Sequence, residues 1–366
     1  MSRLTRLAGM SAFVAFVTLG CGPRAALNPE APSEVGDALV DSAFAEIAGV
    51  LRPGLRRIAG HRAGVAVAVY HGGHAVWIEG AGYADLESRL AVDPDRTRFR
   101  IYSVAKPMTA VAAARLAEAG SLEPEAPVQR YVPSFPEKSA PVTTMQIATH
   151  TAGIRHYANE DEAYSTRRCE TVEEALGQFA DDPLLYEPGS SESYSSWGFV
   201  LLSAVVEGVA GVPFLSAMDS LVFTPAGMDD VALDGEAAAF RARPYEEVGG
   251  PVRDARHVDN SCKWGAGGFV ATAEDVGRFG AAMLDGSIIS PRSLQLFLRG
   301  RSVYRASGFG IGGSAVLLID ANHDLAIALL SNTSGETSSA DLGQLAEDIH
   351  ASVSAWSSSL TPAREP

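Results

Sequence analysis

The sequence predicts an α/β (α+β) fold: an antiparallel β-sheet flanked by N- and C-terminal helices, with a largely helical domain inserted between the two halves of the sheet. Three observations carry this. Near the start, residues 64–70 and 75–80 are short runs of apolar and β-branched residues joined by His71-Gly72-Gly73-His74. Paired glycines suit the positive φ of a tight hairpin turn. Near the end, residues 314–319 and 325–330 repeat the pattern around Asp320-Ala321-Asn322-His323-Asp324. Between them the apolar periodicity is helical, so the sheet must be assembled from both ends of the chain.

Taken in order, residues 1–20 read as an export signal. Arg3 and Arg6 give a basic start, and residues 7–19 are an apolar run too short to span a bilayer. The run closes in Thr18-Leu19-Gly20-Cys21, which resembles the lipidation box of bacterial lipoproteins, with Thr18 where leucine is usual and Cys21 as the lipid acceptor. Residues 21–37, with Pro23, Pro29 and Pro32, form a flexible tether. A helix is expected over 38–58, where Val40, Phe44, Ile47, Ala48 and Leu51 recur at helical spacing. His71 and His74 fall at the tip of the first hairpin and read as a solvated turn rather than a metal pair. Residues 97–102 alternate Phe99 and Ile101 with Arg98 and Arg100, as a strand does; a helix carrying Met108, Val111, Ala112 and Leu116 then runs to Gly120. A closing helix is expected over 340–356. Residues 38–106 and 266–356 thus make the sheet domain, 107–265 the helical insertion, and 357–366 a tail.

The chain is 46% hydrophobic and 20% charged, an ordinary globular composition, with a formal charge of -15. That acidity argues against nucleic acid and against direct contact with anionic lipid. No apolar run after the first reaches transmembrane length, so the membrane is expected as a partner only through the lipid anchor. Cys169 and Cys262 remain beyond Cys21. An oxidising compartment permits a disulfide between them, and two separate thiols fit the sequence equally well.

The chemistry centres on Ser103-Val104-Ala105-Lys106. A strand running into a helix puts Ser103 at the helix start, where the unpaired N–H groups and the helix dipole favour developing negative charge. Lys106 lies one turn on, on the same face. An amine that loses its proton there can take one from the hydroxyl. Of the 29 Lys and Arg residues only three are lysine, namely Lys106, Lys138 and Lys263. Arginine cannot act as a base, so a lysine retained beside a serine is informative. Tyr194 precedes a helical run that starts near Trp197, and a phenol beside a lysine cation becomes a proton shuttle. No Gly-x-Ser-x-Gly elbow, His-Glu-x-x-His pair or Cys/His cluster suggests another hydrolase scheme or zinc, and no cofactor is expected.

Ser-x-x-Lys followed by Tyr-x-Ser resembles the penicillin-recognising serine hydrolases, the family of class C β-lactamases, D-aminopeptidases, D-alanyl carboxypeptidases and related esterases. The likeness extends over 93–106, 127–133, 149–157 (Thr-His-Thr-Ala-Gly-Ile-Arg-His-Tyr) and 259–269, the last two stretches most like the mitochondrial β-lactamase-like branch. It implies a β-lactamase/transpeptidase-like fold and an acyl-enzyme mechanism on amides or esters. A small-molecule or peptide substrate is expected, with peptides and amides favoured over antibiotic β-lactams. Ser103 would be the nucleophile, Lys106 its base, Tyr194 the proton carrier to the leaving group, and Ser196 the stand-in for the family's asparagine. The family's third motif, a strand bearing Lys- or His-Ser/Thr-Gly, fits in two ways. One places Ala306-Ser307-Gly308 there, making Ser307 and Gly308 substrate-binding; the other deletes the strand. Both lack the cation, and Arg305 replaces it only if the register shifts by one residue. The alternative implied by that loss is a binding or scaffold protein that keeps the fold.

Overall fold

A computed structural model describes residues 38–235 and 240–360. The expected export signal, the tether with Cys21, and residues 361–366 of the expected tail lie outside the described residues.

The main sheet contains β1 (Leu39–Val40), β2 (Gly64–His71), β3 (His74–Asp85) and β4 (Leu90–Ala91) from the start of the chain. Two small three-stranded sheets follow, built from β5 (Phe99–Arg100), β6 (Ala232–Leu233), β7 (Tyr245–Glu247), β8 (Val252–Asp254) and β9 (Phe269–Ala271). The end of the chain returns β10 (Val303–Gly310), β11 (Gly313–Asp320) and β12 (Leu325–Ser331) to the main sheet, and β13 (Thr333–Ser334) to a small one. The main order is β1-β3-β2-β12-β11-β10, antiparallel throughout, with β4 on β3. The two termini therefore meet at the β2–β12 pair, where Val67 faces Leu329. Gly72 and Gly73 take φ of 60° and 76°, the positive values that a two-residue turn needs.

Five helices are longest among the described residues: α1 (Ala45–His61), α2 (Ala105–Glu118), α3 (Ser196–Ala210), α4 (Ala273–Leu284) and α5 (Glu336–Leu360). Side chains alternate across a strand, so each strand of the sheet serves two cores. Val65, Val67, Val69, Ile327 and Leu329 face α1 and α5, together with Val316 and Leu318 of β11. Ala66, Ala68, Ala326 and Ala328 face α4 and the middle of the chain, and these small residues let the helix lie close. A sheet buried on both faces reads as a nearly continuous apolar run, as these strands do.

Several expectations need correction. The first helix begins at Ala45, not at 38. Leu39 and Val40 instead extend the hairpin edge, opposite Ile78 and Trp77, and Val40 still reaches the α1-side core from there. The strand expected over 97–102 shortens to Phe99–Arg100 in a small sheet with β9, with Arg98 bridging Arg241 in parallel, and it ends where Tyr102 turns to φ 45°. The closing helix is longer than 340–356. Of the two turn histidines, His74 is exposed as expected, whereas His71 is half-buried: its ring meets Trp356 edge-on at 5.1 Å, and its Nε2 lies 3.3 Å from Ser357 Oγ. No single helix among the described residues is long and apolar enough to cross a membrane.

Candidate active site

Ser103 lies in a single 3-10 turn, Tyr102–Val104, that leads into α2. Its Oγ is 2.7 Å from the Tyr194 hydroxyl and 3.0 Å from Lys106 Nζ. Lys106 is 4% exposed, and its Nζ also reaches Ser196 Oγ at 3.0 Å and the Ala266 carbonyl at 2.6 Å. Burial holds the Lys106 amine below its ordinary value, against the opposing pull of Tyr194. A neutral amine has two N–H donors and one lone pair. Charged, Nζ donates to all three oxygens; once deprotonated, its two donors stay with the Ala266 carbonyl and Ser196 and its lone pair faces the Ser103 hydroxyl proton. Burial alone would raise the Tyr194 phenol, but the Lys106 charge and the hydrogen bonds around it outweigh burial and bring it below the usual tyrosine range.

Local structure fixes this geometry. Ser195 caps α3: its Oγ accepts from the Gly198 N–H at 2.9 Å and donates to the Arg155 carbonyl at 2.7 Å. That cap pins the residues on either side, Tyr194 and Ser196. Two histidines finish the support. The Ser195 N–H donates to His150 Nδ1 at 3.2 Å, and the Ser196 N–H donates to His156 Nδ1 at 3.1 Å. Both rings also pack on Tyr194, with centroids 4.7 and 5.2 Å away. An imidazole that accepts at Nδ1 must be neutral, with its one proton on Nε2. Burial first, then the Lys106 charge, lowers both histidines to about 4.

These histidines have a measurable consequence. Their folded values lie below the ordinary 6.5 of the unfolded chain, so the unfolded state takes protons first as pH falls. Stability should be complete above about 6.5 and decline toward pH 4. Urea midpoints measured across that range should fall, and fall less steeply in His150→Gln, whose amide oxygen can still accept the Ser195 N–H. Identical slopes in the two proteins would remove His150 from this account.

The third-motif strand is present. β10 is the free edge of the main sheet and joins β11 through the two-residue turn Ile311-Gly312, with Gly310 opposite Gly313. It lies against Ser103: a Cβ on Gly308 would come 2.1 Å from the Ile101 carbonyl and 3.0 Å from Ser103 N, so only glycine permits this approach. The flanking pair of a two-residue hairpin exchanges both hydrogen bonds, so Gly310 and Gly308 bond inward to β11. The N–H groups of Phe309 and Ser307 then point outward along the edge. Phe309 N–H and Ser103 N–H are thereby the two backbone donors available to an oxyanion.

The same register removes Arg305 as a replacement cation. It sits opposite Leu318 on the α5 side and pairs with Glu347 at 3.0 Å. Ala306, at the position of the family's cation, shares the Ser103 side with Gly308. Ser307 stands opposite Val316, so its side chain lies on the α5 side and only its backbone lines the edge. The structure therefore brings together Ser103, Lys106, Tyr194, Ser196 and Gly308, and leaves the Ser307 hydroxyl on the other face. His150 and His156 received no role from the sequence; the only hint was their place in the 149–157 stretch. The open cysteine question closes as a Cys169–Cys262 disulfide with Cα atoms 4.9 Å apart.

The family described as "Beta-lactamase" matches residues 40–351. The mitochondrial serine beta-lactamase-like protein LACTB of Mus musculus is 31% identical over 299 residues, covering 61% of this chain and 54% of that protein. Esterase EstB of Burkholderia gladioli is 32% identical over 226 residues, covering 58% of this chain and 54% of the esterase. The chain thus spans about half the length of these curated relatives. Among solved structures, D-amino acid amidase from Ochrobactrum anthropi superposes with a TM-score of 0.71 at 20% identity, covering 84% of this chain and 99% of the amidase. FmtA from Staphylococcus aureus gives 0.72 at 19% identity, covering 88% and 93%.

Proposed function

Because the chain belongs to the beta-lactamase family, whose pattern spans residues 40–351, we propose that it is a serine hydrolase working through an acyl-enzyme on an amide, peptide or ester. One observation carries the reading: the Ser103 hydroxyl sits between a desolvated lysine amine and a tyrosine hydroxyl, each within hydrogen-bond reach. Lys106 Nζ takes the Ser103 proton as Oγ bonds to the substrate's carbonyl carbon, and the carbonyl π pair moves onto oxygen. The Ser103 and Phe309 N–H groups hold that oxyanion. Its collapse breaks the bond to the leaving nitrogen or oxygen, which receives the proton from Lys106 through Tyr194. Water then repeats the sequence on the acyl-enzyme, losing its proton to the same amine and releasing the acid.

Ala306 bears on the substrate. A carboxylate beside the leaving group, as penicillins carry, needs a cationic partner once desolvated. None comes from β10. A neutral fluorophosphonate should therefore label Ser103, whereas a fluorescent penicillin should label it poorly. Strong penicillin labelling that disappears in Ser103→Ala would overturn this substrate assignment. Folded protein that takes neither label would favour the second reading, a binding or scaffold protein, which the missing cation supports.

A further inference from the structure

Lys263 is the one lysine near the site with no part in the chemistry above. It lies in the 3-10 segment Ser261–Ala266, which is fixed at two points: Cys262 is bridged to Cys169, and the Ala266 carbonyl receives Lys106. The residue is 7% exposed. Its ammonium faces three tyrosine rings, Tyr102 at 5.2 Å, Tyr164 at 5.3 Å and Tyr157 at 5.8 Å from the ring centroids. Among the described residues no carboxylate forms an ion pair with it. The nearby acid, Asp234, is already engaged by Arg100 and Arg241. Ring faces compensate a buried cation only in part.

A buried, unpaired charge is costly, and one kept beside Ser103 and Lys106 marks a candidate ligand contact. Burial, then the Arg100 charge, lowers the Lys263 amine to about 7, so an arriving anion would restore its full charge. Its position relates it to the substrate. Tyr102 directly precedes Ser103 in the chain, Tyr157 packs on His156, whose Nδ1 accepts the Ser196 N–H, and Ser196 is bonded to Lys106. Two of the three rings around Lys263 thus adjoin the residues that carry and hold Ser103 and Ser196, and Lys263 belongs to a different element from the β10 edge.

We propose that Lys263 is a specificity-determining residue that receives a carboxylate at the far end of the substrate's acyl group, in a subsite walled by Tyr102, Tyr157 and Tyr164. This deepens the hydrolase reading and rests on it. The preferred substrates are then amides or esters whose acyl part is a dicarboxylic acid chain or another acyl group ending in a monoanion. Such a charge lies on the opposite side of the scissile bond from the carboxylate of a penicillin, so the poor penicillin labelling above and this preference are compatible.

The test compares p-nitrophenyl monoesters of succinic, glutaric and adipic acids with neutral p-nitrophenyl esters of matching chain length. For at least one length, kcat/KM for the anionic ester should exceed that of its neutral partner about tenfold, the scale of one charge-assisted contact. Lys263→Met should erase that ratio. An anionic-to-neutral ratio that is the same in wild type and Lys263→Met would overturn the proposal. A second arm does not depend on turnover. With only three lysines in the chain, reductive methylation with 13C-formaldehyde gives a lysine spectrum simple enough to assign from Lys→Arg variants. Glutarate should shift the Lys263 signal saturably, and no saturable shift would overturn the anion site. A saturable shift in protein that turns over no ester would uphold the anion site and count against the hydrolase reading alone.

Discussion

Lys106→Arg should lower acylation of Ser103 by about a thousandfold or more, a loss comparable with Ser103→Ala, because general-base catalysis and the nucleophile it serves act as a unit. Arginine keeps the positive charge and the helix propensity of lysine, but it does not deprotonate and so offers no lone pair to the hydroxyl. Lys106 Nζ meets three oxygens, and only a neutral amine can accept from one of them while donating to the other two. The burst of p-nitrophenol from an activated ester measures acylation directly. Thermal unfolding of the same samples separates lost chemistry from lost structure, and Lys106→Met covers the case in which the larger guanidinium does not fit. Near-wild-type ester hydrolysis by Lys106→Arg would show that the amine is not the proton acceptor.

The largest effect on stability is expected from Asp234→Ala. Asp234 is 1% exposed and holds Arg100 Nε at 2.8 Å, Arg241, and Asn260 Nδ2 at 2.5 Å. Arg100 is itself buried and donates to the Ile311 carbonyl, at the turn between β10 and β11, at 2.6 Å. Removing the carboxylate leaves a buried guanidinium without its partner, which typically costs about 3–5 kcal/mol. For a chain of this size that corresponds to a drop in Tm of roughly 5 °C. Asp234→Asn should lose less, because the amide oxygen still accepts. Differential scanning calorimetry decides it, and a fall of only a degree or two for the alanine variant would mean that solvent replaces the carboxylate.

What the sequence revealed and what it hid divide along physical lines. The hairpins were readable because β-branched alternation and Gly72-Gly73 are local signals. Ser103 and Lys106 were readable because one helical turn fixes their separation, and Tyr194 because a helix start follows it. The hidden features depend on distance in space. His150 and His156 act through backbone N–H groups 45 and 40 residues further on. The Cys169–Cys262 bond spans 93 residues. The third motif was ambiguous because its alignments differed by the presence of a whole strand. Only the pairing of Arg305 with Leu318, and of Gly308 with Ala315, fixes both the strand and the face each residue takes. Leu39 and Val40 misled for a related reason: two apolar residues serve a strand edge as well as a helix face when both line the same core.

The β2–β12 pair also sets an order of events during synthesis. β2 and β3 emerge early, yet the free edge of β2, Val65 to His71, finds its partner only when Leu325–Ser331 has left the ribosome. For some 250 residues of elongation a long, flat, valine-rich edge has nothing to bond to, which is the condition under which strands join the wrong neighbour. β10, the other rim, raises no such hazard until the end, and its outer face carries Arg305 and exposed polypeptide rather than a run of valines. Ser103, too, waits for a late segment. α2 is complete long before, but the edge that presses on Ser103 comes from residues translated roughly 200 positions afterwards, so the nascent chain has no assembled reactive centre until its sheet closes.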